Sequence, residues 1–428
     1  MGALSFEIEH RSGSCAARTG VVRTLHGSFQ TPAFMPVGTQ GTLKGLLPKD
    51  VRATGSEIVL GNTYHLMLRP GEEVVRALGG LHSFMGWTGP ILTDSGGYQA
   101  YSMSDINRVT DDSVVFRSIV DGSEVTLTPE RAMDVQHALG ADIIMALDDC
   151  PPSVDPRGFS ATRQRLAGQR ERAERRRGYD HGARLDEANE RTIRWLERCK
   201  ARHEAGGHQE RQSLFGIVQG GTDLERRSRS AEQVCGVELP GYAIGGVAVG
   251  EGYEEIVRVV EHTAGLLPEG KPRYLMGVGY ERDLVAAVRA GVDMFDCVLP
   301  TRNGRNAYAF TPFGAIRLRN AIHTRDPSPI DEGCDCLACR PDLHAWETPG
   351  GVPVSRGYLR HLFQAGEMLG PILVSLHNVR HFQRLMVDIR RTIRDDDWSG
   401  FERRWPVVGA ATLGGDREGP ESSCRVMD

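Results

Sequence analysis

The sequence predicts an α/β chain folded as a (β/α)8 barrel, the TIM barrel, with an inserted metal-binding subdomain. Three observations predict it: eight short apolar runs, helical patterns between most of them, and a cluster of three cysteines after the last run. Near-continuous apolar runs are typical of strands that are buried on both faces of a parallel sheet. Their alternation with helices predicts a closed barrel, although the same pattern also fits an open doubly wound sheet.

The eight apolar runs end in polar residues or glycine. They span residues 33–38, 57–62, 90–97, 141–149, 214–221, 242–250, 273–279 and 294–302. In a barrel, the side chains at the C-terminal strand ends build the active site. Here those ends supply Asn62, Asp94, Asp148, Gln219, Gly245, Gly246 and Asp296. We therefore expect these residues to meet at one end of the barrel.

The clearest helix lies between the third and fourth runs. Thr128 is a good N-cap, Pro129 suits the first helical position, Glu130 favours the positive end of the helix dipole, and Gly140 can end the helix. Similar helical patterns span residues 252–268 and 281–291.

Three segments lie outside the strand–helix repeat, and one of them is the cysteine-containing stretch 313–376, which interrupts the last strand–helix unit. Residues 114–127 predict a hairpin that turns at Asp121–Gly122, placed between the third and fourth strands. Residues 160–212 are long, polar and rich in arginine, and they predict a helical excursion on the surface.

The cysteine cluster predicts a metal site. Cys334, Cys336 and Cys339 stand in the pattern C-x-C-x2-C, and zinc prefers four tetrahedral ligands that include thiolates. The candidates for the fourth ligand are His344, His361, His377 and His381. We favour His377 because it stands where a helix is expected to begin. Three cysteines and a histidine leave no open position, so we expect one structural Zn²⁺ per chain. Buried or free thiols are the alternative.

These elements predict four regions. Residues 1–312 form the barrel, with the Arg-rich insertion at about 160–212, and residues 313–376 form the zinc-binding subdomain. Residues 377–404 form the last barrel helix, with its amphipathic pattern over 377–396. Residues 405–428 have little to bury and are expected to be disordered.

Composition excludes several classes of protein. The chain has 428 residues, 40% of them hydrophobic, and a net charge of −5, which argues against a general polyanion binder. We expect no membrane segment, because no apolar run approaches the ~18 residues that span a bilayer, and no signal peptide. Nine cysteines, scattered except for one cluster, favour a reducing compartment, so we expect a cytoplasmic protein.

Two runs carry an aspartate that suits chemistry. Asp94 is followed by glycines, and Asp296 is followed by a basic loop, taken as flexible, that contains Arg302 and Arg305. A carboxylate beside such a loop suits a polyanionic substrate, and two aspartates are what a double displacement at a sugar carbon requires. The alternatives are structural. Asp94 would then cap the turn that follows it, and Asp296 would cap a helix or pair with an arginine.

The ordered motifs resemble those of a bacterial-type tRNA-guanine transglycosylase. The matching segments are GNTYHL (61–66), FMGW with PILTDSGGYQ (84–99), ALDDCPPS (146–153), RTIRW (191–195), LFGIVQGG (214–221), IGGVAVGE (244–251), YLMGVG (274–279), MFDCVLPTRNGRN (294–306), CDCLAC (334–339) and LHN (376–378). The resemblance implies the barrel, the zinc subdomain and base exchange at the first anticodon position of GUN-anticodon tRNAs, those for Asp, Asn, His and Tyr. It implies that guanine is replaced by 7-aminomethyl-7-deazaguanine, a queuosine precursor.

The resemblance also implies residue roles. Asp296 matches the nucleophile that forms a covalent RNA intermediate, and Asp94 matches the general acid/base. Residues that match the base pocket are Asp94, Ser95, Gly96, Gly97, Tyr98, Asp148, Gln219, Gly245, Gly246 and Met276. Residues expected to face RNA are Gly277, Val278, Gly279, Tyr280, Glu281, Arg282, Asp283, Thr301, Arg302, Asn303, Gly304 and Arg305.

Some of these roles keep a structural alternative. Tyr98 and Met276 either sandwich the base or pack in the core. Five further arginines either extend the phosphate track or face solvent: Arg317, Arg319, Arg325, Arg380 and Arg384.

The sequence departs from the family pattern at a few positions. Asp149, Val247 and Tyr280 stand where the family usually has Glu, Leu and Lys. Cys150 and Val249 match the bacterial pattern, which leaves room for an aminomethyl group.

The resemblance implies a homodimer, with Phe84 in the segment that contributes to its interface. Alternatives are a queuine-salvaging enzyme, a non-catalytic tRNA-binding subunit and an unrelated barrel glycosidase. The pair Asp94 and Asp296 argues against the second, and the zinc cluster argues against the third.

Overall fold

The computed structural model describes residues 2–103, 107–158, 170–171, 173–344 and 352–409. Residues 160–169 and 172 of the Arg-rich segment, and residues 410–428 of the expected disordered tail, lie outside these ranges.

Eight parallel strands form the centre of the structure. In chain order the strands are β1 (Ser5–Arg11), β2 (Arg18–Thr24), β3 (Gly27–Thr31), β4 (Ala33–Pro36), β5 (Val59–Gly61), β6 (Ile91–Thr93), β7 (Asn107–Val109), β8 (Val114–Arg117), β9 (Glu124–Leu127), β10 (Ile143–Met145), β11 (Ser213–Val218), β12 (Gly241–Ile244), β13 (Arg273–Leu275), β14 (Met294–Cys297), β15 (Tyr308–Ala309) and β16 (Ile316–Arg317). The parallel sheet runs β4-β14-β13-β12-β11-β10-β6-β5. A parallel bridge between Val37 and Leu60 closes it. The eight predicted strands and the barrel are confirmed, and the open doubly wound sheet is wrong.

Each barrel strand buries both of its faces, which explains the continuous apolar runs. Met35, Met145 and Ile217 belong to a cluster inside the barrel, whereas their neighbours Phe34 and Val218 belong to the cluster between the strands and the helices. Successive side chains therefore alternate in direction but not in polarity.

A three-stranded antiparallel sheet, β1-β2-β3, precedes the barrel. Val22 and Phe29 on this sheet belong to the same buried cluster as the barrel interior. The sheet therefore closes the N-terminal end of the barrel and leaves the C-terminal strand ends for the site.

The helices surround the strands. They are α1 (Pro48–Ala53), α2 (Thr63–Leu68), α3 (Glu72–Ala77), α4 (Gly80–Met85), α5 (Gly97–Met103), α6 (Pro129–Leu139), α7 (His181–Ala205), α8 (Leu224–Gly236), α9 (Tyr253–Leu266), α10 (Glu281–Arg289), α11 (Leu299–Arg305), α12 (Arg356–Ala365), α13 (Leu369–Asp395), α14 (Trp398–Arg404) and α15 (Pro406–Gly409), with 3-10 turns at Pro156–Gly158, His208–Glu210, Ala321–Arg325 and Pro341–His344. Helix α6 starts and ends as predicted: the Thr128 side chain accepts from Arg131 N–H, and Gly140 adopts a left-handed conformation.

The hairpin expected over residues 114–127 is confirmed, with β7 as a third strand. The surface excursion expected over 160–212 is wrong for its second half. Helix α7 buries Trp195, Leu196 and Cys199 against the core, because it is the barrel helix that connects β10 to β11. Although most residues of α7 are polar, its apolar residues recur at helical spacing and form one buried face.

The C-terminal boundaries also differ from the expectation. Helix α13 begins at Leu369, before residue 377, because Leu373, Val374 and Leu376 extend its buried face. Trp405 is buried and its indole N–H donates to Asp388 (2.8 Å), so residues 405–409 pack against the barrel instead of beginning a disordered tail. Within the part of the chain that is described, no helix has the length and apolar character needed to traverse a bilayer.

Candidate active site and metal centre

Three buried or half-buried carboxylates lie at the C-terminal ends of the barrel strands. Asp94 follows β6, Asp148 follows β10, and Asp296 lies within β14. Asp296 raises the pKa of Asp94 through its charge, so the two carboxylates are close enough to interact. The barrel brings together the aspartates that the sequence analysis selected, as the parallel strand order requires.

Neutral donors hold the Asp94 carboxylate. Oδ1 accepts from the backbone N–H of Thr63 (2.8 Å), and Oδ2 accepts from the amides of Asn62 (2.5 Å) and Gln99 (2.7 Å). Burial outweighs these bonds, and with the Asp296 charge it raises the pKa of Asp94 to about 6. A carboxyl group with this pKa can both donate and accept a proton near neutral pH. The structural alternative is that Asp94 caps the turn that follows it. Its hydrogen bonds do not fit that role, because its Oδ1 accepts from Thr63, the first residue of α2.

The Asp296 carboxylate is held on one side only. Oδ1 accepts from the Tyr274 hydroxyl (2.7 Å) and from the Gly277 backbone N–H (2.7 Å). Oδ2 accepts no hydrogen bond from the described residues, and no arginine pairs with the group there. Burial raises the pKa of Asp296, which the two hydrogen bonds oppose. The group is half-buried, so one oxygen atom remains as an acceptor or nucleophile without a partner among the described residues.

Asp148 and Gln219 form a second polar pair in the pocket. The Gln219 amide donates to Asp148 Oδ2 (2.6 Å), and the Ser95 hydroxyl donates to Asp148 Oδ1 (3.2 Å). Burial, with a smaller contribution from the neighbouring Asp149 charge, raises the pKa of Asp148 to about 6. Asp149 points elsewhere and pairs with Arg184 and Arg191 (2.6 Å each).

Glycines bring the backbone close to this pair. A side chain at Gly246, which has a φ of +60°, would collide with the Gln219 amide oxygen, and one at Gly97 would lie 2.9 Å from Leu147. Gly96 has a φ of +77°. These positions need glycine because any Cβ would displace the groups that form the pocket.

Two pocket-forming residues were missed by the sequence analysis. Arg227 is fully buried and donates to four backbone carbonyls, those of Val218, Gly221, Gly245 and Gly246, at 2.7–3.1 Å. It therefore ties the end of β11 to the loop that follows β12. Burial lowers its pKa to about 10.

Glu251 orders the far side of the same loop. Its carboxylate accepts from the backbone N–H groups of Ala248 (2.6 Å) and Val249 (2.9 Å), and from the Ser153 hydroxyl (2.5 Å). Val249 is half-buried and Cys150 is buried. Cys150 follows Asp148 in the loop after β10, and Val249 follows Gly246 in the loop after β12.

Tyr98 and Met276 are both half-buried. Tyr98 lies in α5, and Met276 donates its N–H to Ile244 (3.2 Å), beside the Gly245–Gly246 turn. Met276 also packs on the cluster inside the barrel, so it contributes to the core.

The basic segment after Asp296 is a helix. Residues 299–305 form α11, so the flexible loop expected there is wrong. Gly304 allows the helix to lie against α13, because a Cβ there would approach the Ser375 backbone to 2.7 Å. Thr301 and Gly304 are buried, whereas Arg302, Asn303 and Arg305 are half-buried. Burial and the charge of Arg302 lower the pKa of Arg305, so the two guanidinium groups lie close enough to repel each other.

The segment 277–283 has a mixed character. Val278, Gly279, Glu281 and Asp283 are buried, and Glu281 bonds His381 (2.8 Å). The residues that retain accessible surface are Gly277, Tyr280 and Arg282. Contacts from this segment to a ligand would therefore come from those three residues and from its backbone.

The five peripheral arginines divide into two groups. Arg380 and Arg384 pair with Asp335 and Asp331, respectively, which favours the structural alternative for them. The others are exposed: Arg317, Arg319 and Arg325.

A buried four-residue group forms the metal centre. The ligand atoms of Cys334, Cys336, Cys339 and His377 all lie within 4.8 Å of one another. His377 Nδ1 lies 3.5 Å from Cys336 Sγ and 3.4 Å from Cys339 Sγ, and its Nε2 bonds the Phe310 carbonyl (2.8 Å). That outer bond fixes the ring so that Nδ1 faces the thiols. His377 is thus the fourth member, as expected.

The other candidate histidines have different partners. His344 bonds the Asp335 carbonyl, His361 stacks on Tyr358, and His381 bonds Glu281. The donor set of three sulfur atoms and one nitrogen atom suits a tetrahedral metal with no open position.

The family comparisons agree over nearly the whole chain. Residues 13–406 match the family model described as queuine tRNA-ribosyltransferase. A queuine tRNA-ribosyltransferase of Thermus thermophilus is 49% identical over 406 residues, which cover 95% of this chain and 94% of that protein. The protein of that name from Novosphingobium aromaticivorans is 46% identical, covering 94% of this chain and 97% of its own length. The one from Marinobacter nauticus is also 46% identical, covering 96% and 98%.

Proposed function

The chain belongs to the queuine tRNA-ribosyltransferase family, and from that premise we propose that it replaces guanine with 7-aminomethyl-7-deazaguanine at the first anticodon position of GUN-anticodon tRNAs. The protein is an enzyme, a tRNA-guanine transglycosylase of the pentosyltransferase class. The observation that carries the finer proposal is the arrangement of Asp296: one carboxylate oxygen is held by Tyr274 and Gly277, and the other is free beside Asp94.

The reaction is a double displacement. Asp296 Oδ2 attacks the ribose anomeric carbon, the bond to guanine breaks with its electron pair going to the base, and an ester joins Asp296 to the RNA. The incoming base then attacks the same carbon and the Asp296 ester bond breaks. Two inversions give net retention, as in retaining glycosidases.

Asp94 moves the proton in both halves. Its protonated form donates to the leaving guanine, and the carboxylate so formed accepts the proton that the incoming base loses. The pKa of about 6 supports this use, since the group spends appreciable time in each state near neutral pH. The proton count is unchanged after one full cycle.

One pocket must hold both bases in turn. Asp148 accepts from their amino and ring N–H groups, while Gln219 and the Gly246 N–H donate to the exocyclic oxygen. Base binding then requires the present Gln219–Asp148 bond to be exchanged for bonds to the ligand. Tyr98 and Met276 stack on the two faces of the ring. Cys150 and Val249 leave room for an aminomethyl substituent.

The RNA reaches this pocket with its target base unstacked, which costs least in a single-stranded anticodon loop. Helix α11 carries Arg302 and Arg305 beside the nucleophile, where they contact the phosphates of neighbouring nucleotides. Tyr280 and Arg282 follow Gly277, whose N–H donates to Asp296, and they contact the RNA from that segment.

The Cys3His group holds one Zn²⁺, which stabilises the subdomain and takes no part in the chemistry. The arrangement of the four donors and the outer bond from His377 to Phe310 support that assignment. Elemental analysis tests it: one zinc per wild-type chain and a loss in Cys336→Ser are expected. The family also favours a cytoplasmic homodimer with Phe84 at its interface.

Queuine salvage is the second candidate. Cys150 and Val249 disfavour it, because both match the pattern for the smaller base. A non-catalytic subunit is disfavoured by the presence of both Asp94 and Asp296.

A base-exchange assay on one unmodified GUN-anticodon tRNA tests the proposal. Labelled guanine, 7-aminomethyl-7-deazaguanine and queuine are offered separately. Incorporation of the first two supports the proposal, and incorporation of queuine would shift the substrate assignment. If folded, metal-loaded protein incorporates none of them, the proposed exchange is wrong.

A further inference from the structure

A second cluster of metal-ligating side chains lies at the opposite end of the barrel. His26 lies in the turn between β2 and β3, His82 lies in α4, and Asp142 immediately precedes β10. Asp142 begins the strand whose other end leads to Asp148, so this cluster faces away from the candidate active site. Three separate parts of the chain meet in it.

The ligand atoms of the three side chains all lie within 4.8 Å of one another, close to the spacing of neighbours in one coordination shell. His26 Nδ1 lies 2.8 Å from Asp142 Oδ1, and His82 Nε2 lies 3.1 Å from Asp142 Oδ2. With bonds of about 2.1 Å to a metal ion, adjacent ligands lie roughly 3–3.4 Å apart. The two imidazole rings are stacked, with their centroids 3.6 Å apart and their planes at 18°, and each directs a ring nitrogen at the same carboxylate. Because an imidazole binds a metal ion in the plane of its ring, joint binding of one ion requires the more exposed His26 ring to turn out of the stack.

The barrel edge fixes the carboxylate. Asp142 Oδ2 also accepts from the Ile91 N–H (2.9 Å), and the Asp142 backbone bonds both Ile91 and Ser213. The Asp142 side chain is 1% exposed, that of His82 is 12% exposed, and that of His26 is 43% exposed. The cluster thus has a rigid buried ligand, an intermediate one and an accessible one, which gives an ion an entry path.

We propose that His26, His82 and Asp142 bind one divalent transition-metal ion of the Zn²⁺ or Co²⁺ type. Imidazole nitrogen and carboxylate oxygen suit these ions, and three protein ligands leave further positions for water. The bound ion would join the β2–β3 turn and α4 to the barrel wall. Its effect is therefore on the stability of the N-terminal end and not on base exchange.

Metal binding to tag-free full-length protein tests the site. Equilibrium dialysis against Zn²⁺, followed by elemental analysis, is expected to give two equivalents per chain, one from the Cys3His group and one from this cluster. Zn²⁺ is also expected to raise the melting temperature. His26→Ala and the double variant His26→Ala/His82→Gln should lose the second equivalent and the shift, with affinity falling at least about 10–100-fold per lost ligand.

Two control variants make the result specific. His10→Ala removes an exposed histidine on β1, and His208→Ala alters a separate histidine cluster with His137 and His203. Both should keep two equivalents. The site is wrong if wild-type protein never exceeds one equivalent, if the double variant keeps two, or if His208→Ala alone removes the second. Far-ultraviolet circular dichroism of His26→Ala, whose side chain is the most exposed of the three, separates loss of binding from loss of folding.

Discussion

The two ends of strand β10 carry aspartates with opposite surroundings. At the N-terminal end, burial disfavours ionisation of Asp142, but hydrogen bonds from His82, His26 and the Ile91 N–H outweigh it and hold its pKa below the usual range. Beyond the C-terminal end, burial dominates and raises the pKa of Asp148 to about 6, although Gln219 and Ser95 donate to it. The same strand thus carries a carboxylate fixed in its charged form and one that can exchange a proton.

The two ends of strand β14 show the same contrast, with an arginine instead of histidines as the partner at the closed end. Asp293, just before the strand, forms two bonds to the Arg18 guanidinium (2.6 and 2.9 Å) and accepts from the Arg273 N–H. Asp296, three positions later, has only neutral donors. Burial raises the pKa of both groups, but only Asp293 is neutralised by a partner. Asp142 and Asp293 at the closed end have histidine or arginine partners, whereas the hydrogen bonds to Asp94, Asp148 and Asp296 at the open end come from neutral donors.

The largest effect is expected from Asp296→Asn. The asparagine oxygen can still accept from Tyr274 and Gly277, so the fold should persist, but the anionic nucleophile is gone. Base exchange should fall by at least about 10⁴-fold, the scale of other nucleophile deletions. Steady-state incorporation of labelled guanine measures it, and tRNA binding serves as the control for folding. Residual exchange within tenfold of wild type would place the nucleophile elsewhere.

Asp94→Asn should have the next largest effect. Asparagine cannot carry the proton, and general acid–base catalysis typically contributes about 10²–10⁴-fold. Single-turnover kinetics should show that both adduct formation and its resolution slow down. If only tRNA affinity changes, Asp94 positions the substrate and does not transfer the proton.

Asp293→Asn tests the other side of the comparison. Arg18 and Asp293 are almost fully buried, so removal of one charge leaves the other unpaired and should cost about 3–5 kcal/mol of unfolding free energy. Denaturant titration measures this cost. Asp134→Asn is the matched control, because its pair with Arg202 is exposed and should contribute no more than about 1 kcal/mol. The folded fraction of Asp293→Asn should keep its exchange rate per active site. If the two variants lose the same unfolding free energy, the buried Arg18–Asp293 pair contributes no more than an exposed pair, which contradicts its expected role.

The smallest effect is a pH dependence with opposite signs in the two half-reactions. Asp94, with a pKa of about 6, is protonated below that value and ionised above it. Adduct formation needs the proton, so its rate should fall about tenfold per pH unit above 6. Resolution by the incoming base needs the carboxylate and should rise with pH through the same region until Asp94 is ionised. Rapid-quench measurements of each half-reaction test this. If Asp94→Asn gives the same pH–rate profiles as wild type, the titrating group is not Asp94.

The strands and the metal centre followed from local patterns. Continuous apolar runs require burial on both faces, and closely spaced cysteines have few uses other than metal binding. The family resemblance assigned roles to Asp94 and Asp296, and the barrel then placed both carboxylates at its open end. The structure supplied what no local pattern encodes, such as which oxygen atom of Asp296 is left free.

The errors have physical causes. The sequence of α11 predicts a flexible loop because Asn303 and Gly304 favour turns, but contact with α13 requires a glycine at residue 304 and stabilises the helix. The many charged residues of α7 predict a surface excursion, but Trp195 and Cys199 lie on a buried face of the helix. Arg227 was overlooked, although its spacing to Ser230, Ala231 and Val234 places it on the buried face of α8.

Trapping of the covalent intermediate tests the central assignment most directly. Wild-type protein is mixed with a GUN-anticodon tRNA without any incoming base, denatured, digested and analysed by mass spectrometry. An RNA-linked peptide whose modified residue is Asp296 is expected in wild type and is expected to be absent in Asp296→Asn. An adduct on another residue, or an adduct that persists at wild-type level in Asp296→Asn, would contradict this assignment.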